Sequence, residues 1–110
     1  MNIETRQLKH VTVVTVVGRV DSATAPELEK KLHDLIEGNA SQLILDLKQT
    51  EYMSSAGLRV LVSSLKLAKK NNGDLRLAQI STRVQEVLDL AGLTPVFHIH
   101  PDLVEAVGSF

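Results

Sequence analysis

The sequence has no cysteine. A disulfide framework, a thiolate zinc site and a cysteine nucleophile are excluded together, and a reducing compartment is compatible with that absence. Tryptophan is also missing, and the aromatics are only Tyr52, Phe97 and Phe110. The core must therefore be aliphatic, and stacking platforms for single-stranded nucleic acid are lacking. Neither sign of charge dominates, with a formal net charge of −1. A nucleic-acid binder would carry a strongly basic face instead. No apolar run approaches the length that spans a bilayer. Met1 to His10 alternates polar and apolar residues and lacks the apolar segment of a secretory leader. No glycine-rich phosphate loop exists, because Gly18 and Gly38 stand singly.

What remains is an ordinary globular balance, with 44% hydrophobic and 23% charged residues in 110. That length predicts one domain over residues 1–110. Val11 to Val17 is dense in β-branched residues and ends at Gly18, as a central strand buried on both faces would. Ile3 to Leu8 is a weaker strand, expected to pair with it as a hairpin. Thr24-Ala25-Pro26-Glu27 has the form of a capping box. Ala25, Leu28, Leu32, Leu35 and Ile36 then repeat at helical spacing up to Gly38. Gln42 to Leu47 is an apolar run of strand length. Leu58, Leu61, Val62, Leu65 and Ala68 form the inner stripe of a second helix, and Arg59, Ser63, Lys66 and Lys70 its outer stripe. Leu75 to Ala78 reads as a strand, and Ser81 opens a third helix closed by Gly92. Val96 to Ile99 reads as a last strand, and Pro101 to Val107 as a final helix. The order β-β-α-β-α-β-α-β-α predicts an α/β domain with parallel pairs and right-handed crossovers.

The richest segment is Met53-Ser54-Ser55-Ala56-Gly57-Leu58, where two serines stand at a helix start. Such an end exposes unpaired N–H groups and partial positive charge. A serine there can cap the helix. It can also accept a phosphate, which the helix end would hold. Local physics leaves both readings open. A serine hydrolase would need a nucleophile elbow, with glycine two residues before the serine. Here Met53 and Tyr52 occupy those positions, and His10, His33, His98 and His100 sit in no recognisable triad context. His98 and His100 would share one face of the last strand, but no further metal ligand is near them in sequence. Lys66, Lys69 and Lys70 complement a helix C-terminus and need no partner. Asp21 reads as a loop residue making a local turn hydrogen bond.

Taken together, Gly18-Arg-Val-Asp21 leading into Thr24-Ala-Pro-Glu-Leu28, Leu43-Ile-Leu-Asp-Leu47 and Met53-Ser-Ser-Ala-Gly-Leu58 resemble the STAS family. Within it the resemblance is to the single-domain anti-anti-sigma factors of bacteria. It implies a mixed sheet of four to five strands with about four helices packed on it. It implies a cytoplasmic, non-enzymatic protein with no catalytic residue, cofactor or metal, and a monomer when free. The implied partners are an anti-sigma serine/threonine kinase, which binds the unphosphorylated form and releases it on phosphorylation, and a PP2C-type phosphatase that restores it. Neither nucleic acid nor membrane is an expected partner. Matched to the signature, Ser55 is the acceptor, Asp21 lies beside it, and Gly57 keeps the helix start uncrowded. Arg59 stands one turn on, at the spacing from which it can reach a phosphate. The expected partner surface is therefore Asp21, Ser54, Ser55, Gly57 and Arg59. One position departs from the family, which has aspartate immediately before the acceptor where this chain has Ser54. The change removes a negative charge and adds Ser54 as a second candidate hydroxyl. A different class of function is a STAS accessory subunit of a transporter or larger assembly, never phosphorylated.

Overall fold

The computed structural model describes all 110 residues. Strand β1 (Asn2–Leu8) turns at Lys9-His10 into β2 (Val11–Val20). The two run antiparallel, from Asn2 opposite Val17 to Leu8 opposite Val11. Lys9 adopts a φ of 59°, the left-handed backbone that tight hairpin turns require. Helix α1 (Ala25–Glu37) leads to β3 (Gln42–Asp46), which pairs parallel with the first half of β2. Strand β4 (Thr50–Met53) pairs parallel with the last residues of β2, across a register shift between Gly18 and Arg19. Gly18 makes that shift with a φ of 99°, which side chains resist. Helix α2 (Ser55–Lys70), β5 (Asp74–Ala78), α3 (Thr82–Leu90), a single 3-10 turn at Thr94–Val96, β6 (Ile99–His100) and α4 (Leu103–Gly108) complete the chain. The sheet runs β1-β2-β3-β5-β6, with β4 on β2.

The expected mixed sheet with four helices is present, with two differences in its strands. It has six strands, because Thr50–Met53 pairs with β2 where sequence showed only a connection. The last strand falls at Ile99–His100 instead of Val96 to Ile99, because Pro95 sits in the 3-10 turn. His98 therefore lies outside the strand and does not share it with His100. No three acidic or histidine side chains gather where they could hold a metal ion. No helix is long and apolar enough to cross a membrane.

Strand alternation splits the core in two. Val14, Val16, Leu43, Leu45, Leu75 and Leu77 face α1, α2 and α3, in a cluster of 21 buried residues. Val11, Val13, Ile44 and Ala78 face α4 through Ala106, in a cluster of only five. Stability therefore rests mainly on the three-helix face. Helix α1 buries Ala25, Leu28, Leu32 and Ile36 as its spacing predicts, and leaves Leu35 half-buried. Its capping box does not form. Thr24 makes no side-chain cap, and its hydroxyl instead donates to the Arg19 carbonyl at 3.1 Å and accepts from the Asp21 N–H at 2.9 Å. Helix α2 buries Leu58, Leu61, Leu65 and Ala68 as expected, and also Gly57, Val60 and Ser64. It packs on α1 as well as on the sheet, which widens its inner face. Val62 is half-buried instead of buried, at the edge of that face.

Candidate functional site

The segment that starts α2 is held by its strand. Ser54 follows β4 directly, and its N–H donates to the Val20 carbonyl at 2.8 Å. Val20 pairs with Met53, so Asp21 and Ser54 leave neighbouring parallel strands side by side. Ser54 then turns the chain into the helix with an extended backbone, φ −85° and ψ 175°. Its hydroxyl accepts from the Gly57 N–H at 3.4 Å, a long capping bond. The Leu58 N–H reaches the Ser54 carbonyl at 3.0 Å. Ser54 is half-buried and engaged.

Ser55 differs. It is the first helical residue, it is exposed, and its hydroxyl has no hydrogen-bond partner in the chain. It sits where the first-turn N–H groups and the helix dipole favour negative charge. Gly57 is needed for contact: a Cβ there would lie 2.8 Å from Met53 Cγ and 2.9 Å from Val20 Cγ1. The start of α2 thus packs onto the β2–β4 pair as only glycine allows.

Ser55 also borders a shallow groove along the outer side of α2. Leu58, Arg59, Val62, Ser63 and Lys66 line it from the helix, and Leu93 closes it from the segment after α3. The floor is apolar and the rim basic. Arg59 is exposed and forms no ion pair, so its guanidinium is free to meet an added anion. Lys66, read from sequence as solvated, belongs to this rim. No histidine lines the groove, so Ser55 has no adjacent base of the kind a nucleophilic serine needs.

Asp21 is turned inward on its own loop. Its Oδ1 accepts from the N–H groups of Ala23 at 3.0 Å and Thr24 at 3.1 Å. These bonds, Thr24 first and then Ala23, hold its carboxyl below the ordinary value, and the Arg19 charge adds to the effect. The local turn read from sequence is thus present, and it also shapes the loop beside Ser54. Sequence reasoning missed two neighbours. Arg19 stacks on the Tyr52 ring at 4.5 Å, a contact invisible until β4 is known to pair with β2. Leu93 comes from far along the chain, and only the packing of α3 brings it to α2.

The STAS domain family matches residues 2–106. The anti-sigma-B factor antagonist of Bacillus subtilis (strain 168) is 35% identical over 99 residues, covering 90% of each chain. The crystal structure of an anti-sigma factor antagonist from Mycobacterium paratuberculosis superposes with a TM-score of 0.88 at 26% identity, covering 98% of this chain and 92% of that one. SpoIIAA in its phosphorylated form shares the fold, with a TM-score of 0.77 at 17% identity, covering 98% of each chain.

Proposed function

This chain belongs to the STAS domain family, and on that premise we propose that it is an anti-sigma factor antagonist switched by phosphorylation of Ser55. Unphosphorylated, it binds an anti-sigma serine/threonine kinase over the start of α2, with Asp21, Ser54, Ser55, Gly57 and Arg59 in or beside the contact. The kinase phosphorylates Ser55 and the complex separates. A PP2C-type phosphatase removes the phosphate and restores binding. The cytoplasm is the compartment this role requires.

The observation that carries the reading is the contrast between the two serines. The Ser54 hydroxyl caps α2, whereas Ser55 is exposed and unbonded at the same helix end. A kinase can take Ser55 without undoing the cap. The physics of release follows from charge. A phosphate adds about −1.5 to −2 charges at neutral pH. The helix end favours that charge by about 0.3–1 kcal/mol, so the fold tolerates it. A partner that covered a neutral hydroxyl must then bury a dianion, which costs several kcal/mol when unpaired. Each 1.4 kcal/mol is about tenfold in affinity, so a loss of about 100-fold or more is expected.

The test is incubation with the cognate kinase and ATP, followed by mass spectrometry of the Ser54–Ser55 peptide. Phosphate on Ser55, with loss of kinase binding, supports the proposal. Phosphate on Ser54 alone overturns the acceptor assignment. Phosphate on neither, with an active kinase, overturns the switch.

A further inference from the structure

Strand β1 is the outer strand of the sheet and pairs only with β2. Sheet edges present unpaired N–H and C=O groups that template another strand, and proteins blunt them with proline, charged side chains (lysine above all), bulges or shortness. The opposite edge is shortened in this way, since β6 has two residues. β1 is not. It is seven residues long, contains neither proline nor lysine, and its register with β2 is uninterrupted. All its residues but Ile3 and Leu8 are exposed.

The charges on this edge are arranged as a self-match. Glu4 and Arg6 project from one face of β1, and neither forms an ion pair within the chain. Across a two-fold axis normal to the sheet, directly opposed residues share a face. The axis must therefore lie midway between a residue and its own copy. Centred on Glu4 it opposes two glutamates, and centred on Arg6 two arginines. Centred on Thr5 it sets each Glu4 opposite an Arg6, twice, and keeps all seven residues in the ladder. Opposite charges facing each other across strands stabilise a pair, and like charges oppose it. Beside this edge Glu27, Lys30, Lys31 and Asp34 of α1 flank β1 with two charges of each sign, and Asp46 borders the same hollow as Glu4 and Arg6.

We propose that β1 is a homodimer surface: two copies join edge to edge as antiparallel strands, centred on Thr5, into one continuous sheet. This revises the monomer expected for the free chain. The surface lies on the opposite side of β2 from β3, and the proposal does not depend on the role of Ser55.

The experiment is sedimentation velocity of the full chain from about 10 µM to 1 mM, with charge reversals at exposed positions. Wild type should dimerise reversibly, more weakly as salt rises. Glu4→Arg or Arg6→Glu alone should weaken the dimer about tenfold, because each puts like charges opposite one another twice. The double exchange, Glu4→Arg with Arg6→Glu, should restore it. Thermal melts of each variant check that the fold is intact. A wild type that stays monomeric at 1 mM overturns the proposal. So does a dimer unaffected by either single reversal, or a double exchange that behaves like the singles.

Discussion

Replacing each of the two serines by alanine, one at a time, separates the cap from the acceptor. Ser54→Ala removes the oxygen that accepts from the Gly57 N–H, at 3.4 Å. Loss of an N-cap serine costs about 0.5–2 kcal/mol. A bond this long belongs in the lower half of that range, so about 0.5–1 kcal/mol is expected. For a domain of 110 residues the unfolding entropy is about 0.23 kcal/mol/K, so Tm should fall by about 2–4 °C. Ser55→Ala removes a hydroxyl that bonds nothing, at an exposed helical position where alanine is the better helix former. Its Tm should stay within about 2 °C of wild type or rise. The kinase assay should reverse the ranking: Ser54→Ala is still phosphorylated, whereas Ser55→Ala is not and stays bound in the presence of ATP. Thermal melts by circular dichroism and intact-mass spectrometry read both. If Ser55→Ala loses more than about 1 kcal/mol while Ser54→Ala is neutral, the two roles have been exchanged and the reasoning fails.

Ser55→Asp should keep Tm nearly unchanged while weakening kinase binding, measured by calorimetry; a mimic that unfolds the protein would make Ser55 a structural residue. Leu61, fully buried on the inner face of α2, should cost about 2–5 kcal/mol when cut to alanine, and a loss under about half a kcal/mol in denaturant melts would mean the helix face is misread. Gly57→Ala drives a Cβ to 2.8 Å from Met53 Cγ and 2.9 Å from Val20 Cγ1; the overpacking should cost about 1–3 kcal/mol, and an unchanged denaturation midpoint would refute it. Asp21 has a folded pKa below its ordinary 3.8, so its stabilisation is present above that value and lost as pH falls below it. Asp21→Asn should therefore show a shallower fall in Tm below about pH 4 than wild type, and parallel acid curves would rule the linkage out.

The helices were legible because their apolar spacing survives in the packing. Leu28, Leu32 and Ile36, like Leu58, Leu61 and Leu65, end up inside as their periodicity demands. Strand β4 was not legible. It is four residues long, Glu51 is exposed, and Thr50 is buried only because its hydroxyl donates to the Val16 carbonyl at 2.8 Å. A buried threonine satisfied by a distant strand looks like a loop residue in sequence. The Thr24 capping box failed for a related reason. The pattern was correct, but Asp21 and Arg19 stood close enough to take the hydroxyl first. At the site, the two serines and Gly57 were legible in one short segment. The groove was not, because Leu93 reaches it only through tertiary packing. Asp46 stood in the Leu43 to Leu47 motif, but its burial, with the Lys48 N–H at 3.2 Å and Gln79 Nε2 at 3.0 Å as donors to its carboxylate, was not legible, because Gln79 reaches it only through the pairing of β3 with β5.

The uneven division of the core has a consequence in time. Helix α4 is held by a cluster of five buried residues, by the half-buried Leu103, Val107 and Phe110 packed on it, and by the Arg76 grip on Ser109, at 2.6 and 2.7 Å. Regions with so little buried apolar contact open far below the free energy of global unfolding. Amide protons of α4 should therefore exchange with solvent through a local opening, while those of α1, α2 and the central strands wait for the whole domain to unfold. Each opening bares Ile44 and Ala78, on the side of the sheet away from the three-helix layer. The molecule thus has, besides its permanent surface, an apolar one that exists only in a minor population.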